Sequence, residues 1–213
     1  MVSADPKQYQ GFARHVTYFP RRDKHLIERM VEHIVEQCPA LVGVPLNPAV
    51  RAVYTGRIVN RTQLTNYVLM PSQGVGRISG HKEWGTANFG CLAEMLKCAG
   101  YCVVQVGLAG DQRLRAADEQ HLQLSLEELV GLVRGSRMVV SLENGLSHLA
   151  GHLMHPCTTL YLHRDTQPLH TGYVNQYSIV GEPAFVTPEQ VYKRITTEIE
   201  ITNGEQAEKR NEG

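Results

Sequence analysis

Apolar residues follow two different periods along the chain from about residue 65 onward. Short apolar runs bounded by turn residues predict buried strands, at 67–70, 101–106, 138–142 and 158–162. Apolar residues at helical spacing predict helices between them and after them, at 86–99, 125–134, 145–154 and 188–199. Strands that alternate with helices predict an α/β fold: a single domain with a parallel sheet flanked by helices.

The rest of the chain has a different character. Residues 23–37 predict an amphipathic helix, and the breakers that follow in 43–66 are typical of a linker. The last residues are charged and contain glycine, which predicts a disordered tail. We therefore divide the chain into an N-terminal helical segment and linker (1–64), the α/β domain (65–200) and a tail (201–213).

Charge and cysteine content narrow the class of protein. Lysine plus arginine equals aspartate plus glutamate at 21 each, so no overall field attracts nucleic acid or an anionic membrane. The five cysteines show no C-x-x-C spacing and are expected to be reduced core residues, as in a cytoplasmic protein. No signal peptide and no membrane span is predicted from the hydropathy pattern.

One strand, turn and helix carries the first candidate chemistry. The apolar run 138–142 leads into Glu143, Asn144 and Gly145, after which a helix is predicted to begin. The first turn of a helix has unpaired N–H groups and a partial positive charge, which favours an anion, and His148 lies in that turn. Alternatively, Glu143 only caps the helix and His148 is an ordinary surface or core histidine.

A glycine-containing loop after the first strand is the second candidate. It contains Gly74 and Gly76, where the backbone can approach a ligand closely, and Arg77 and Lys82, which supply positive charge. The pattern is neither G-x-G-x-x-G nor a Walker A loop, and a mobile loop with a solvated lysine remains the alternative. In a parallel sheet this loop, 107–111 and 143–148 should meet at one edge.

A metal site is not predicted. His148 and His152 are four residues apart on one predicted helix face, which suits zinc. However, Leu149 stands where an H-E-x-x-H motif has its glutamate, and ligation there would compete with an anion at the helix start.

Three motifs, in this order, carry a family resemblance: Lys82-Glu83-Trp84, the loop 107–111, and Glu-Asn-Gly-Leu-Ser-His at 143–148. Over about 65–199 the chain resembles the C-terminal half of bacterial family 9 glycosyltransferases, the ADP-heptose:lipopolysaccharide heptosyltransferase group. The resemblance implies a Rossmann-like, nucleotide-sugar-binding half of a GT-B enzyme. It also implies a cytoplasmic role in lipopolysaccharide biosynthesis, with an ADP-heptose-like donor as substrate and no further cofactor.

The resemblance also implies residue roles. Lys82 pairs with the donor diphosphate, Glu143 faces the sugar, and the start of the following helix surrounds the phosphates through Asn144, Gly145 and His148. Asp111 or Gln112 is the candidate for the nucleotide ribose. The chain departs from the family pattern, which has aspartate where Glu143 stands and a hydroxyl residue where Asn144 stands. A different sugar, or weakened donor chemistry, could follow from this departure.

The chain also departs from the family pattern in its acceptor-binding half. In this family an N-terminal domain holds the catalytic base, and residues 1–64 are too few to form such a domain. A separate acceptor-binding chain or a homo-oligomer would have to supply that half. Alternatively, the chain is a non-catalytic nucleotide or nucleotide-sugar binding module. A third reading is an interaction module that uses the apolar face of 23–37, since fold alone does not determine function.

Overall fold

The computed structural model describes residues 57–71, 83–162 and 176–211, and of residues 202–211 it describes the backbone. The elements in chain order are β1 (Tyr67–Pro71), α1 (Thr86–Cys98), β2 (Cys102–Gly107), β3 (Glu119–Leu122), α2 (Leu126–Gly135), β4 (Met138–Leu142), α3 (Gly145–His152), β5 (Cys157–Tyr161), β6 (Gln176–Val180) and α4 (Pro188–Asn211). The predicted helix 23–37 and nearly all of 1–64 lie outside the described residues.

The strands form one six-stranded parallel sheet in the order β3-β2-β1-β4-β5-β6. The predicted α/β fold with a parallel sheet flanked by helices is confirmed. β1 lies at the centre and pairs with β2 on one side and with β4 on the other. Strand order therefore reverses between β1 and β4, and in open α/β sheets ligands bind at the carboxyl ends of the strands at such a point.

The apolar runs predicted four strands, and the structure adds two that the pattern did not indicate. β3 is a polar edge strand whose four residues are all partly exposed, so it has no apolar run to reveal it. β6 is the strand at the opposite edge. Both form because an inner strand offers a hydrogen-bonding edge, which is a tertiary interaction and not a local preference.

Alternate residues of the buried strands face two separate apolar clusters. In β1, Val68 and Met70 face the cluster that α1 and α4 cover, whereas Tyr67 and Leu69 face the cluster that α2 and α3 cover. Both faces of the sheet are thus buried, which explains why β1, β4 and β5 are buried at every residue instead of at alternate residues.

The cysteines fit the core prediction only in part. Cys157 is buried and Cys102 is partly buried, but Cys91 and Cys98 are exposed. The two exposed cysteines are seven residues apart on α1, on the face turned away from the buried Leu92. The two thiols belong to an apolar stretch of sequence, but the helix turns them towards solvent.

The segment before β1 lies against α2. Val59 N–H donates to the carbonyl oxygen of Glu127 over 3.4 Å, and Arg61 forms an ion pair with Glu128 at 3.2 Å. The chain approaches α2 so closely that a Cβ on Gly131 would overlap the carbonyl oxygen of Val59. Glycine at this helix position therefore makes room for the incoming chain.

The final helix continues to Asn211, so the segment predicted as a disordered tail is helical for most of its length. Glutamate, glutamine, lysine, arginine and alanine all favour helix, and the single Gly204 costs only about 1 kcal/mol relative to alanine. None of the described helices combines the length and the apolar character that a membrane span requires.

Candidate functional site

The carboxyl ends of β1, β2 and β4 lie side by side at one edge of the sheet, because β1 pairs in parallel with both neighbours. The loops that follow these strands therefore start from neighbouring positions, as the sequence predicted. The starts of α1 and α3 lie on opposite faces of the sheet at this edge. Gly74, Gly76 and Lys82 belong to the loop after β1 and lie outside the described residues.

Asn144 is the N-terminal cap of α3, and the helix start differs from our expectation of unpaired N–H groups. Its Oδ1 accepts hydrogen bonds from the N–H groups of Leu146 at 2.9 Å and Ser147 at 3.4 Å. The Ser147 hydroxyl oxygen accepts the N–H of Asn144, which completes a capping box. The first-turn N–H groups that we expected to be unpaired are thus partly satisfied by the side chain of the chain's own cap residue.

Two hydrogen-bond donors at the start of α3 have no acceptor among the described residues. Since Asn144 Oδ1 faces two backbone N–H groups, its Nδ2 points the other way, and no described residue accepts a hydrogen bond from it. Gly145 follows as the first helical residue and is exposed. A Cβ on Gly145 would meet no described atom within 4 Å, so packing in this part of the chain does not require glycine there.

Glu143 and His148 form a close pair across this turn. Glu143 Oε1 lies 3.4 Å from His148 Nε2, and the Glu143 side chain is 11% exposed compared with 34% for His148. The two residues predicted to hold different parts of a ligand are therefore in contact with each other. His152, one turn further on, hydrogen-bonds through Nδ1 to the carbonyl oxygen of His148 at 3.0 Å.

The loop after β2 is held by its own aspartate. Asp111 Oδ2 accepts the N–H of Leu108 at 2.8 Å, and a Cβ on Gly107 would overlap that carboxylate. Glycine at the end of β2 therefore lets Asp111 fold back over the strand. Gln112 Oε1 accepts the hydroxyl of Thr86 at 2.9 Å, which ties this loop to the first residue of α1.

Trp84 fixes the chain just before α1. Its indole Nε1 donates to the carbonyl oxygen of Val186 at 2.7 Å, and its ring packs edge-on against Phe89 with centroids 4.9 Å apart. Asn88 Nδ2 donates to the Trp84 carbonyl oxygen at 2.6 Å. The tryptophan of the Lys82-Glu83-Trp84 motif is thus a buried anchor to the segment between β6 and α4.

The start of α1 differs from that of α3. Gly85 is its cap residue, with φ of 87°, and no side chain caps the helix. A side chain at residue 85 would be strained in this left-handed conformation. The N–H groups in the first turn of α1 therefore lack the side-chain acceptor that Asn144 supplies to α3.

No group of three or more histidine, cysteine, aspartate or glutamate side chains that could hold a metal ion occurs in the described ranges. Sequence reasoning missed Ser141, whose hydroxyl donates to Asn144 Oδ1 at 2.9 Å, and Thr86. A polar residue in an otherwise apolar buried strand was the available signal for Ser141. Nothing local distinguished Thr86, because its partner is 26 residues away.

Solved structures share this fold. The E. coli heptosyltransferase WaaC with ADP matches with a TM-score of 0.61 and 21% identity over 88% of this chain and 60% of that chain. A family 9 glycosyl transferase from Veillonella parvula DSM 2008 matches with a TM-score of 0.66 and 15% identity, over 90% of this chain and 65% of that chain. E. coli ADP-heptose lps heptosyltransferase II matches with a TM-score of 0.56 and 18% identity, over 67% of this chain and 49% of that chain.

The chain thus spans between 49% and 65% of the length of these three relatives. No curated protein sequence matches it significantly. The model of glycosyltransferase family 9 (heptosyltransferase) matches residues 9–199, which is most of the chain. The sequence motifs, the sheet order and this match agree, and the chain belongs to glycosyltransferase family 9, the heptosyltransferase family.

Proposed function

We propose that the chain binds a nucleotide-diphosphate sugar at the sheet edge between β1 and β4, as the donor for metal-independent glycosyl transfer. The observation that carries this proposal is the exposed start of α3, where Asn144 Nδ2 and the Gly145 N–H meet no described acceptor. Two N–H donors at a helix start, with the partial positive charge of the helix behind them, favour a phosphate oxygen.

The start of α1, on the other face of the sheet, supports the same ligand. The start of α1 has no side-chain cap, and the loop that leads into it contributes Lys82, which we expect to pair with the diphosphate. A nucleoside diphosphate gains negative charge as it leaves the sugar. A lysine and fixed N–H donors stabilise that charge without a metal ion.

The spacing of the strands suits the length of a nucleotide-diphosphate sugar. Neighbouring strands are about 4.8 Å apart, so the loop after β2 lies about 10 Å from the end of β4, across β1. Asp111 and Gln112 occupy that loop and are our candidates for the ribose hydroxyls. The donor would then cross the sheet edge from Glu143 and His148 towards Asp111.

We assign an ADP-linked sugar of the heptose type as the preferred donor. The support is family membership and the ligands of one solved relative, since E. coli WaaC has been solved with ADP and with ADP-2-deoxy-2-fluoro heptose. A cytoplasmic role in lipopolysaccharide biosynthesis belongs to the same proposal. The acceptor and the catalytic base would come from a separate chain or from a second copy of this one.

Calorimetry with ADP, UDP, GDP and their sugars tests the proposal. Gly145→Ala is the sharpest variant, because its Cβ meets no described atom and should leave stability unchanged while weakening ADP binding about tenfold or more. Gly90→Ala is the matched control within a helix, where the Cβ meets only Leu114 Cδ1 at 3.8 Å. Absence of binding by every nucleotide, or equal affinity in both variants, would contradict the proposed site.

Lys82→Ala should weaken ADP binding by a similar factor because it removes the expected diphosphate charge. Lys97→Ala is its matched control. Lys97 lies at the other end of α1 and pairs with Asp118 at 3.1 Å, so its loss should leave ADP affinity unchanged.

A non-catalytic binding module is the second candidate, and it is favoured by Glu143 and Asn144, which stand where the family pattern has aspartate and a hydroxyl residue. Release of ADP from an ADP-sugar separates the two functions. The enzyme should release ADP once an acceptor-binding chain is added, whereas a binding module keeps the ADP-sugar intact under the same conditions.

A further inference from the structure

Gln105 is a buried amide in a strand whose other buried residues are all valine. It lies in β2 with no exposed surface, among Val103, Val104 and Val106. Burial of an amide is unfavourable unless its donor and its acceptor both find partners. The partners of Gln105 therefore indicate which part of the fold depends on it.

Both ends of the Gln105 amide bind the main chain of the loop that follows β2. Its Nε2 donates to the carbonyl oxygen of Gln112 at 2.8 Å, and its Oε1 accepts the N–H of Leu114 at 2.7 Å. The Leu114 side chain is itself buried in the cluster that α1 covers. Residues 112–114 therefore cannot move away from β2 without breaking these two hydrogen bonds and exposing an apolar side chain.

The Gln112 side chain is held by a further contact, made with the start of α1. Its Oε1 accepts the hydroxyl of Thr86 at 2.9 Å. The other end of the same amide, Nε2, has no acceptor among the described residues, and Gln112 is exposed. Gln112 therefore presents N–H donors at the carboxyl edge of the sheet. They lie beside Asp111, whose Oδ2 already accepts the N–H of Leu108.

We propose that Gln105 is a positioning residue for the nucleoside end of the donor: it fixes the main chain at Gln112 so that Gln112 Nε2 donates to a ribose hydroxyl oxygen. This inference rests on the donor binding proposed above. Gln105 is buried and acts only through Gln112. A side chain that is ordered only on binding loses conformational entropy at that moment. Gln105 and Thr86 order Gln112 before the ligand arrives.

Hydrogen exchange of the ligand-free protein tests the attachment of the loop. Gln105→Met keeps the length of the side chain but removes both hydrogen bonds, so the Leu114 amide hydrogen should exchange about tenfold faster or more. Equal exchange at Leu114 in the wild type and in Gln105→Met would overturn the proposal, whatever the protein binds.

Thr158→Val is the matched control for a buried polar residue in a strand. The Thr158 hydroxyl donates to Met138 Sδ at 3.3 Å, near the amino ends of β5 and β4 and away from the loop after β2. This variant should leave both the Leu114 exchange rate and the affinity for ADP unchanged.

Calorimetry with ADP and with dideoxy-ADP, which lacks both ribose hydroxyls, then tests the role. The wild type should bind ADP about tenfold more tightly than dideoxy-ADP, because only ADP offers the hydroxyl oxygen to Gln112. Gln105→Met should lose this preference, with weaker binding of ADP and unchanged binding of dideoxy-ADP. A general structural defect would instead weaken both ligands alike, and that result would contradict the positioning role.

A second background shows whether Gln105 acts through Gln112. Gln112→Ala should itself remove the preference for ADP, and Gln105→Met in that background should cause no further loss. Equal losses of ADP affinity in both backgrounds would overturn the proposal. Absence of any nucleotide binding by the wild type would overturn the proposed function, whereas binding of ADP and dideoxy-ADP with equal affinity would overturn this inference alone.

Discussion

Lowering the pH should destabilise the fold through His155. This residue lies between α3 and β5, and its Nε2 is 2.9 Å from the Ser136 hydroxyl oxygen. The Ser136 hydroxyl donates to the carbonyl oxygen of Val133 at 2.8 Å, so its oxygen accepts the Nε2–H of a neutral imidazole. Burial lowers the pKa of His155 from 6.5 to about 4.

The sign and size of the effect follow from this shift. In the unfolded chain His155 takes up a proton below its ordinary pKa of 6.5, whereas the folded protein keeps it neutral down to a pKa of about 4. The stabilisation is therefore complete above that ordinary pKa and is lost as the pH falls towards the folded value. With 1.36 kcal/mol per pKa unit, the loss between pH of about 7.5 and about 5 is about 2 kcal/mol.

Urea denaturation followed by circular dichroism at these two pH values measures the loss. His155→Gln is the matched variant, because its amide N–H can still donate to Ser136 but cannot titrate. The variant should lose about 2 kcal/mol less than the wild type between the two pH values. Equal losses in both proteins would refute the reasoning, because His155 would then have the same pKa folded and unfolded.

Two further predictions concern the anchors of the domain. Trp84→Phe removes the donor to the buried Val186 carbonyl oxygen and should lower the free energy of unfolding by about 1–3 kcal/mol, measured by urea denaturation; an unchanged value would mean that the carbonyl finds another donor. Gly131→Ala should destabilise by about 1–3 kcal/mol, because the added Cβ overlaps the Val59 carbonyl oxygen. Gly90→Ala, whose Cβ would make only an ordinary contact with Leu114 Cδ1, should instead stabilise by up to about 1 kcal/mol, and equal effects of the two changes would contradict the close approach of Val59 to Gly131.

The helices and inner strands of the domain could be predicted because their signals are local. The predicted strand 138–142 has the same bounds as β4, and Ser125 with Glu128 forms a capping box at the start of α2. Apolar runs and cap residues act within a few residues of each other. β3 and β6 escaped prediction because an edge strand gains its stability from the neighbouring strand.

The candidate site could be predicted as a set of loops but not as a set of contacts. The carboxyl ends of β1, β2 and β4 meet as parallel pairing requires. The sequence did not show that the Asn144 side chain accepts hydrogen bonds from the first turn of the helix that follows it. An asparagine that caps a helix and an asparagine that binds a ligand can occur in the same local sequence. It also did not show that Trp84 would reach Val186, which is 102 residues away.

The sequence alone therefore determined the class of fold, the order of its main elements and the motifs that mark the family. Those properties depend on apolar periodicity and on short spacings, which each segment carries by itself. Only the tertiary structure decided which groups meet: Glu143 with His148, Gln112 with Thr86, and the chain before β1 with Gly131. The contacts of Gln112 with Thr86 and of the chain before β1 with Gly131 join segments that are far apart in the sequence. The contact of Glu143 with His148 joins near neighbours, but it depends on the directions of the two side chains. All three contacts therefore depend on how the packed sheet and helices orient the backbone.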